Sequence, residues 1–292
     1  MKKIALITNF NISEKAGAAC RVADRLVEED CEILVAAIYR ERLERMNLHR
    51  DCFHYLPLDM VYAEADLLIV LGGDGSILEA SRRALQRGTP ILGINLGRLG
   101  YMAELEMSEL DQLSRLFTGD FTLEKRAMIR VELLNAKGGL VSFCYALNDA
   151  VISGGSVSRI IDLELTEGGT PVSTYRADGL IIATPTGSTA YSMSAGGAIV
   201  DPRVDCFCVT PVCPHSFIAR PLIFAGSSVL EVRNICAREK MLYLTVDGRM
   251  NFELYRNQSV RIRKSSMETR LVRLKSCGFY SKLRQKMSDS HL

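Results

Sequence analysis

Residues 69–77 read IVLGGDGSI, an apolar run that stops at Gly72-Gly73-Asp74-Gly75 before Ser76 opens a helical pattern. An uninterrupted apolar strand running into a glycine turn and a helix belongs to an open α/β sheet. Such sheets bind ligands beyond the carboxyl ends of their strands. Three glycines around one acid are more than a tight turn needs. Glycines let backbone N–H groups approach phosphate oxygens without a Cβ in the way, and the start of a helix adds favourable partial charge. Asp74 would repel a phosphate unless it binds a cation such as Mg²⁺ or accepts a proton from an attacking hydroxyl. A tight turn in which Asp74 caps its helix explains the same letters more plainly. The chain has no G-x-x-x-x-G-K-[ST] loop, and Leu78 occupies the last glycine's place of a G-x-G-x-x-G fingerprint.

Outward from this joint, KIALIT, CEILVAAI, ADLLIVL and TPILGIN read as parallel strands buried on both faces. A helix between the first two shows Ala19, Val22, Ala23, Leu26 and Val27 on one face. SELDQLSRLFTGD reads as a closing helix, with Ser108 and Asp111 at capping-box spacing and Gly119 as its stop. After about residue 122 the pattern becomes one of strands. TLEKRAMIRVELLNAKGGLVSFCYAL and RIIDLELTEGGTPVSTY each read as two strands around a Gly-Gly turn, and SSVLEVRNI, KMLYLTV, QSVRIRKS and TRLVRLKS read as further strands. GFYSKLRQKM reads as a short helix that returns to the first domain. The expected organisation is an α/β domain with a parallel sheet over residues 1–122, a predominantly β, sandwich-like domain over 123–264, and a returning segment over 265–292. The junction reads as a direct crossing rather than a tether.

The 292 residues are 48% hydrophobic and 24% charged, ordinary for a soluble globular protein. No apolar run approaches the ~18 residues of a membrane span. MKKIALITNF reads as a first strand rather than a signal peptide, so the expected location is the cytoplasm and no membrane partner is expected. Nine scattered cysteines fit reduced thiols. Cys206, Cys208, Cys213 and His215 fall within ten residues, but Cys206 and Cys208 alternate like one face of a strand, which favours buried thiols over a metal site. The net charge of +2 gives no reason to expect nucleic acid. From Arg256 onward, however, ten Lys/Arg face two Asp/Glu. That excess reads as solvated strand faces or as a positive edge for a polyanion.

A second polar cluster is YRADGLIIATPTGSTAYSMSAGG, residues 175–197. A buried strand is flanked by Asp178-Gly179 and by a run of hydroxyls and glycines around Tyr191. Such density has no evident use in a core and suits a sugar–phosphate ligand with an aromatic ring on Tyr191. In LNDAVI, Asn148 and Asp149 stand at a strand end, where they could read ribose hydroxyls or simply form a turn.

Taken in order, GGDG, INLGRLGY, LNDAVI, RADGLIIATPTGSTAYSMSAGG, PVCPHSFIARP, VDG and FYSKL resemble the bacterial NAD kinase family along most of the chain. The resemblance implies an α/β domain, a β-sandwich-like domain and a last segment returning to the first. It also implies transfer of the ATP γ-phosphoryl group, with Mg²⁺ or another divalent metal, to the 2′-hydroxyl of the adenosine ribose of NAD. By position Asp74 would be the proton acceptor, with Gly72, Gly73, Gly75 and Tyr101 beside the nucleotides. Asn148 and Asp149 would hold the adenosine ribose and nicotinamide regions, and Arg159, Arg176 and Asp178 would make further contacts. Thr189, Ala190, Tyr191, Ser192, Met193 and Ser194 would wrap the dinucleotide, and Arg249 stands where an amide contact is frequent. No protein group is assigned as a metal ligand. A homodimer or homotetramer is implied.

The chain departs from the family pattern at Asp149, where Glu is common, at Ala177, where Gly is common, and at Arg249, where Gln is frequent. A non-catalytic NAD(P) sensor would lack the acid that Asp74 supplies. A related lipid or sugar kinase would leave TPTGSTAY unexplained.

Overall fold

The apolar runs near the start of the chain form a parallel sheet, as strands covered on both faces do. Lys3–Ile7 (β1) leads to helix Ser13–Leu26 (α1), Glu32–Ala36 (β2) to Arg40–Arg45 (α2), Phe53–Leu56 (β3) to Leu58–Glu64 (α3), and Leu67–Leu71 (β4) to Asp74–Ala84 (α4). Ile91–Asn95 (β5) then pairs at its far end with the two-residue strand Leu105–Glu106 (β6). The order is β3-β2-β1-β4-β5, with Ile4 opposite both Ile33 and Leu67, and Ile69 opposite Leu92. Every residue of β4 and β5 is buried. α1 covers one face with Ala16, Ala19, Val22, Ala23 and Leu26, packed on Ile4, Leu6, Ile33 and Ile69. This is a computed structural model, and it describes residues 2–97, 100–155, 160–216, 219–237, 241–275 and 278–289.

Two local expectations change. β3, with sequence FHYL, was not anticipated; it is an edge strand, and only Phe53 is buried. The helix expected over 108–120 is a five-residue 3-10 turn, Leu110–Ser114, running into Arg115–Thr118 (α5) and ending at Gly119 with φ 76°. Its core contacts Leu110, Leu113 and Leu116 recur every third residue, which suits a 3-10 turn and leaves the Ser108–Asp111 capping box unformed.

The first compact unit runs to Lys125 and resumes at Thr269; the second is Arg126–Glu268. Strands Thr122–Leu134 (β7), Leu140–Ala146 (β8), Asp149–Gly154 (β9), Ile161–Glu167 (β10), Thr170–Ala177 (β11) and Gly179–Ala183 (β12) precede a single-turn helix, Tyr191–Ser194 (α6). Cys206–Val212 (β13), Leu222–Ala225 (β14), Leu230–Asn234 (β15), Met241–Val246 (β16), Met250–Tyr255 (β17) and Ser259–Arg273 (β18) follow, and the chain ends in helix Phe279–Asp289 (α7). One sheet of the second unit orders β11-β10-β15-β18, with β7 on β18 and β8 on β7; the other orders β14-β13-β12-β9-β16-β17. Their facing sides share one core, with Ile129, Leu163, Val232 and Ile262 from the first and Ile152, Ile182, Val209 and Leu244 from the second. This is a β-sandwich.

QSVRIRKS and TRLVRLKS, read as separate strands, are one strand, β18, because Ser265–Thr269 contains no Gly, Pro, Asn or Asp to turn the chain. Its basic residues are largely paired: Arg261 with Glu231, Arg263 with Glu132, Lys264 with Asp205 and Arg273 with Glu104. The cationic excess of this segment is thus mostly neutralised locally. Cys206 and Cys208 lie buried on the outer face of the second sheet with Val151, Ile181 and Val200, while Cys213 is exposed.

Candidate active site

In the first unit, β4 ends at Leu71, and the Gly72 N–H donates back to the Ile94 carbonyl at 2.9 Å. Gly73 is the N-cap of α4 and Asp74 its first helical residue, yet among the described residues no side chain caps this helix. The Asp74 carboxylate turns instead to the loop after β5, where Oδ2 accepts from the Tyr101 N–H at 2.9 Å and Oδ1 from the Met102 N–H at 3.0 Å. A Cβ on Gly100 would fall 2.2 Å from Asp74 Oδ1, so glycine there is what lets the acid lie against this backbone. Asp74 is half-buried between the exposed Gly73 and Gly75. A Cβ on Gly73 would meet nothing within 4 Å, so internal packing does not demand glycine at that position. The plain reading of Asp74 as its own helix cap is thereby set aside. Two N–H donors orient the carboxylate and leave further lone pairs open.

In the second unit, Asn148 and Asp149 stand where β9 begins. Asp247, in the turn between β16 and β17, accepts from the N–H groups of Leu147 at 2.9 Å, Asn148 at 2.8 Å and Asp149 at 3.1 Å. Asp149 is 5% exposed, and burial, with the neighbouring Asp247 charge, pushes its carboxyl up to about 7. Burial also raises Asp247, against the pull of its three backbone donors. Asn148 Oδ1 is buried without a hydrogen-bond partner among the described residues. The Asn148 carbonyl accepts from the Thr184 N–H at 2.8 Å and lies 2.1 Å from where a Cβ on Gly187 would stand. The 184–189 turn is therefore pressed onto the Asn148 backbone. Asp247 is the residue of this candidate site that the sequence reading missed. Its Asp-Gly reads as a hairpin turn, and only the fold shows that its carboxylate organises residues 147–149.

The hydroxyl-rich segment is less open than its composition suggested. Ser188 Oγ donates to the Pro185 carbonyl and accepts from the Val200 N–H, and the fully buried Ser192 pairs its hydroxyl with Thr210 Oγ1 at 2.9 Å. These hydroxyls do have a use inside the protein: they fasten residues 184–200 to the outer face of the sheet. Thr189 and Ser192 are buried, whereas Tyr191, Met193 and Ser194 are exposed, Tyr191 by 47%. Arg249 is exposed in the β16–β17 turn.

Not every expected residue is gathered at this end. Ala183 pairs with Asp149, but Gly179 pairs with Ser153, so Asp178 and Arg176 stand at the opposite end of β12. Both are exposed, and Arg176 approaches Asp162 at 3.8 Å. Arg159 lies outside the described residues. No group of three or more His, Cys, Asp or Glu comes together among the described residues.

A family model described as the ATP-NAD kinase N-terminal domain matches residues 4–121, and one described as the ATP-NAD kinase C-terminal domain matches residues 147–274. An NAD kinase from Symbiobacterium thermophilum is 39% identical over 291 residues, 99% of this chain and 100% of that one. An NAD kinase from Geotalea daltonii is 36% identical over 288 residues, 98% of each chain. A yeast NADH kinase, solved in complex with NADH, superposes with a TM-score of 0.88 over 99% of this chain and 87% of that one. At 23% identity that likeness shows the shared fold.

Proposed function

The chain belongs to the ATP-NAD kinase family, and on that premise we propose that it transfers the γ-phosphoryl group of ATP to the 2′-hydroxyl of the adenosine ribose of NAD, forming NADP. The observation that carries the reading is Asp74. It stands beyond the carboxyl end of a parallel strand, oriented by two backbone N–H groups of a neighbouring loop rather than used as a cap.

A ribose hydroxyl is a weak nucleophile at neutral pH. Asp74 accepts its proton, or a share of it, as the bond to phosphorus forms. Gly73 is exposed at the head of α4, where phosphate oxygens are favoured. In the second unit, Asn148 presents an unmatched acceptor to a donor on the dinucleotide, Asp149 reads its hydroxyls, and Tyr191 offers an exposed ring for stacking. The residues fit a divalent cation of the Mg²⁺ kind, which takes one or two carboxylates and completes its shell from water and phosphate. Asp74, with lone pairs left over, is the group that would hold it. When bound, such an ion neutralises charge on the triphosphate.

We place the enzyme in the cytoplasm as a homodimer or homotetramer. Among the described residues no helix is long and apolar enough to cross a membrane. The half-exposed Leu140, Val141 and Phe143 on β8 support an interface between copies. The test of the function is incubation with NAD, ATP and Mg²⁺, followed by a dehydrogenase that accepts only NADP. Bound NAD with no NADP formed would turn the reading to a non-catalytic sensor.

A further inference from the structure

Asp74 takes its two donors from the loop after β5, and the same loop is also held by residues 273–286. Glu104 closes the loop, with its N–H on the Gly93 carbonyl at 2.8 Å. Its carboxylate is 2% exposed and fully used. Oε1 accepts from the N–H groups of Leu274 at 3.0 Å and Lys275 at 2.8 Å; Oε2 accepts from Arg273 Nη1 at 3.0 Å and Lys282 Nζ at 3.2 Å. Both cations also reach the loop backbone. Arg273 Nη1 donates to the Met102 carbonyl at 3.0 Å, and Lys282 Nζ to the Ala103 carbonyl at 2.7 Å. Lys286 Nζ sits 3.9 Å from the centre of the Tyr101 ring. Every residue from Tyr101 to Glu104 is thus held by a cation from residues 273–286.

The way α7 docks points in the same direction. Its half-buried residues are Phe279, Lys282, Leu283 and Lys286, at the spacing of one helical face, and no residue of the helix with a described environment is fully buried. Two of these four inward positions are lysines, and both end on the loop that carries Asp74's donors. A helix serving only to cover a core would turn apolar residues inward.

We infer that Lys282, with Arg273 and Lys286, is a positioning residue for Asp74: it fixes the peptide groups of the 101–104 loop, and through the Tyr101 and Met102 N–H groups it fixes the direction of the carboxylate. The mechanism needs that direction, since a displaced acid no longer meets the hydroxyl. The inference rests on the kinase reading for its effect on turnover, though not for its effect on the loop.

Lys282→Met keeps the stem and removes the ammonium, and Lys282→Arg restores a donor. The expected result for Lys282→Met is a kcat at least about tenfold lower, with NAD binding changed by less than about twofold. Faster hydrogen exchange is expected at the Tyr101 and Met102 amides, and partial recovery in Lys282→Arg. In an Asp74→Asn background the same substitution should remove nothing more, because a group that acts through Asp74 then has nothing to act on. A folded Lys282→Met with normal kcat and normal exchange overturns the inference, as does an equal loss in both backgrounds. If Lys282→Met does not fold, Lys286→Met decides: normal exchange at Tyr101 with normal turnover overturns it. The exchange measurement needs no turnover, so it judges the positioning even if no NADP is ever formed.

Discussion

Asp149 and Asp247 hold one another by two hydrogen bonds: the Asp149 N–H donates to the Asp247 side-chain Oδ1 at 3.1 Å, and the Asp247 N–H donates to the Asp149 carbonyl at 3.0 Å. Two carboxyl groups are thereby brought together in a buried place, and one consequence is a pH dependence. Unfolded, Asp149 ionises near 3.9. Folded, it ionises at about 7, because burial and then the Asp247 charge oppose its negative form. Between these values the folded state binds a proton that the unfolded chain does not. The contribution therefore falls as pH rises from about 4 to 7 and is flat above. Asp149→Asn removes it. Urea unfolding at pH 5 and pH 8 should show the variant gaining on the parent by on the order of 2 kcal/mol at the higher pH. A constant difference between the two proteins would make Asp149 an ordinary ionised carboxylate.

Asp74→Asn preserves size and can still meet one of the two loop donors. Turnover should fall by ~10²–10⁴, the usual worth of a positioned base. NAD affinity should change far less, because the lost interaction belongs to the transition state. Near-normal kcat would reduce Asp74 to a turn residue.

The glycines at 73 and 187 separate two uses of the same residue. Gly187→Ala drives a Cβ into the Asn148 backbone, 2.1 Å from its carbonyl oxygen, and should destabilise by roughly 1–3 kcal/mol while disturbing Asn148. Gly73→Ala meets no atom within 4 Å, so the melting temperature should hold. A fall in kcat/KM for ATP would then come from the new methyl group standing where phosphate approaches. Unchanged kinetics would free Gly73 from any part in binding.

Tyr191→Ala removes a ring that is 47% exposed and contributes little to the core. If the ring stacks on the dinucleotide, NAD binding should weaken by ~1–3 kcal/mol with thermal stability unchanged. Calorimetry giving the same dissociation constant would take Tyr191 out of the site.

What could be read from the letters was whatever depends on neighbours in the chain. The runs at Leu67–Leu71 and Ile91–Asn95 showed their burial because both faces are covered. FHYL at β3 did not, since an edge strand shows no continuous apolar run. The turn at Asp74 was visible as a site, but the donors that orient it come from 27 and 28 residues further on. Asp247 lies 98 residues beyond Asp149 and carries only the signature of a turn. The buried hydroxyls of Ser188 and Ser192 looked like a ligand surface, because composition cannot say whether a polar group finds its partner inside or outside the protein.

The first unit is interrupted: it stops at Lys125 and resumes at Thr269, with the whole sandwich spliced between. Leu271 takes its place beside Ile91 only after the intervening 126–268 stretch has left the ribosome. The first unit therefore completes its sheet only with residues synthesised after the second unit. The sandwich, encoded without a break, is free to mature while the α/β layer still waits for its final strand and helix. The Glu104 carboxylate obtains its Arg273 and Lys282 partners only once the intervening sandwich has been made, so the loop that orients Asp74 is completed after the second unit rather than before it.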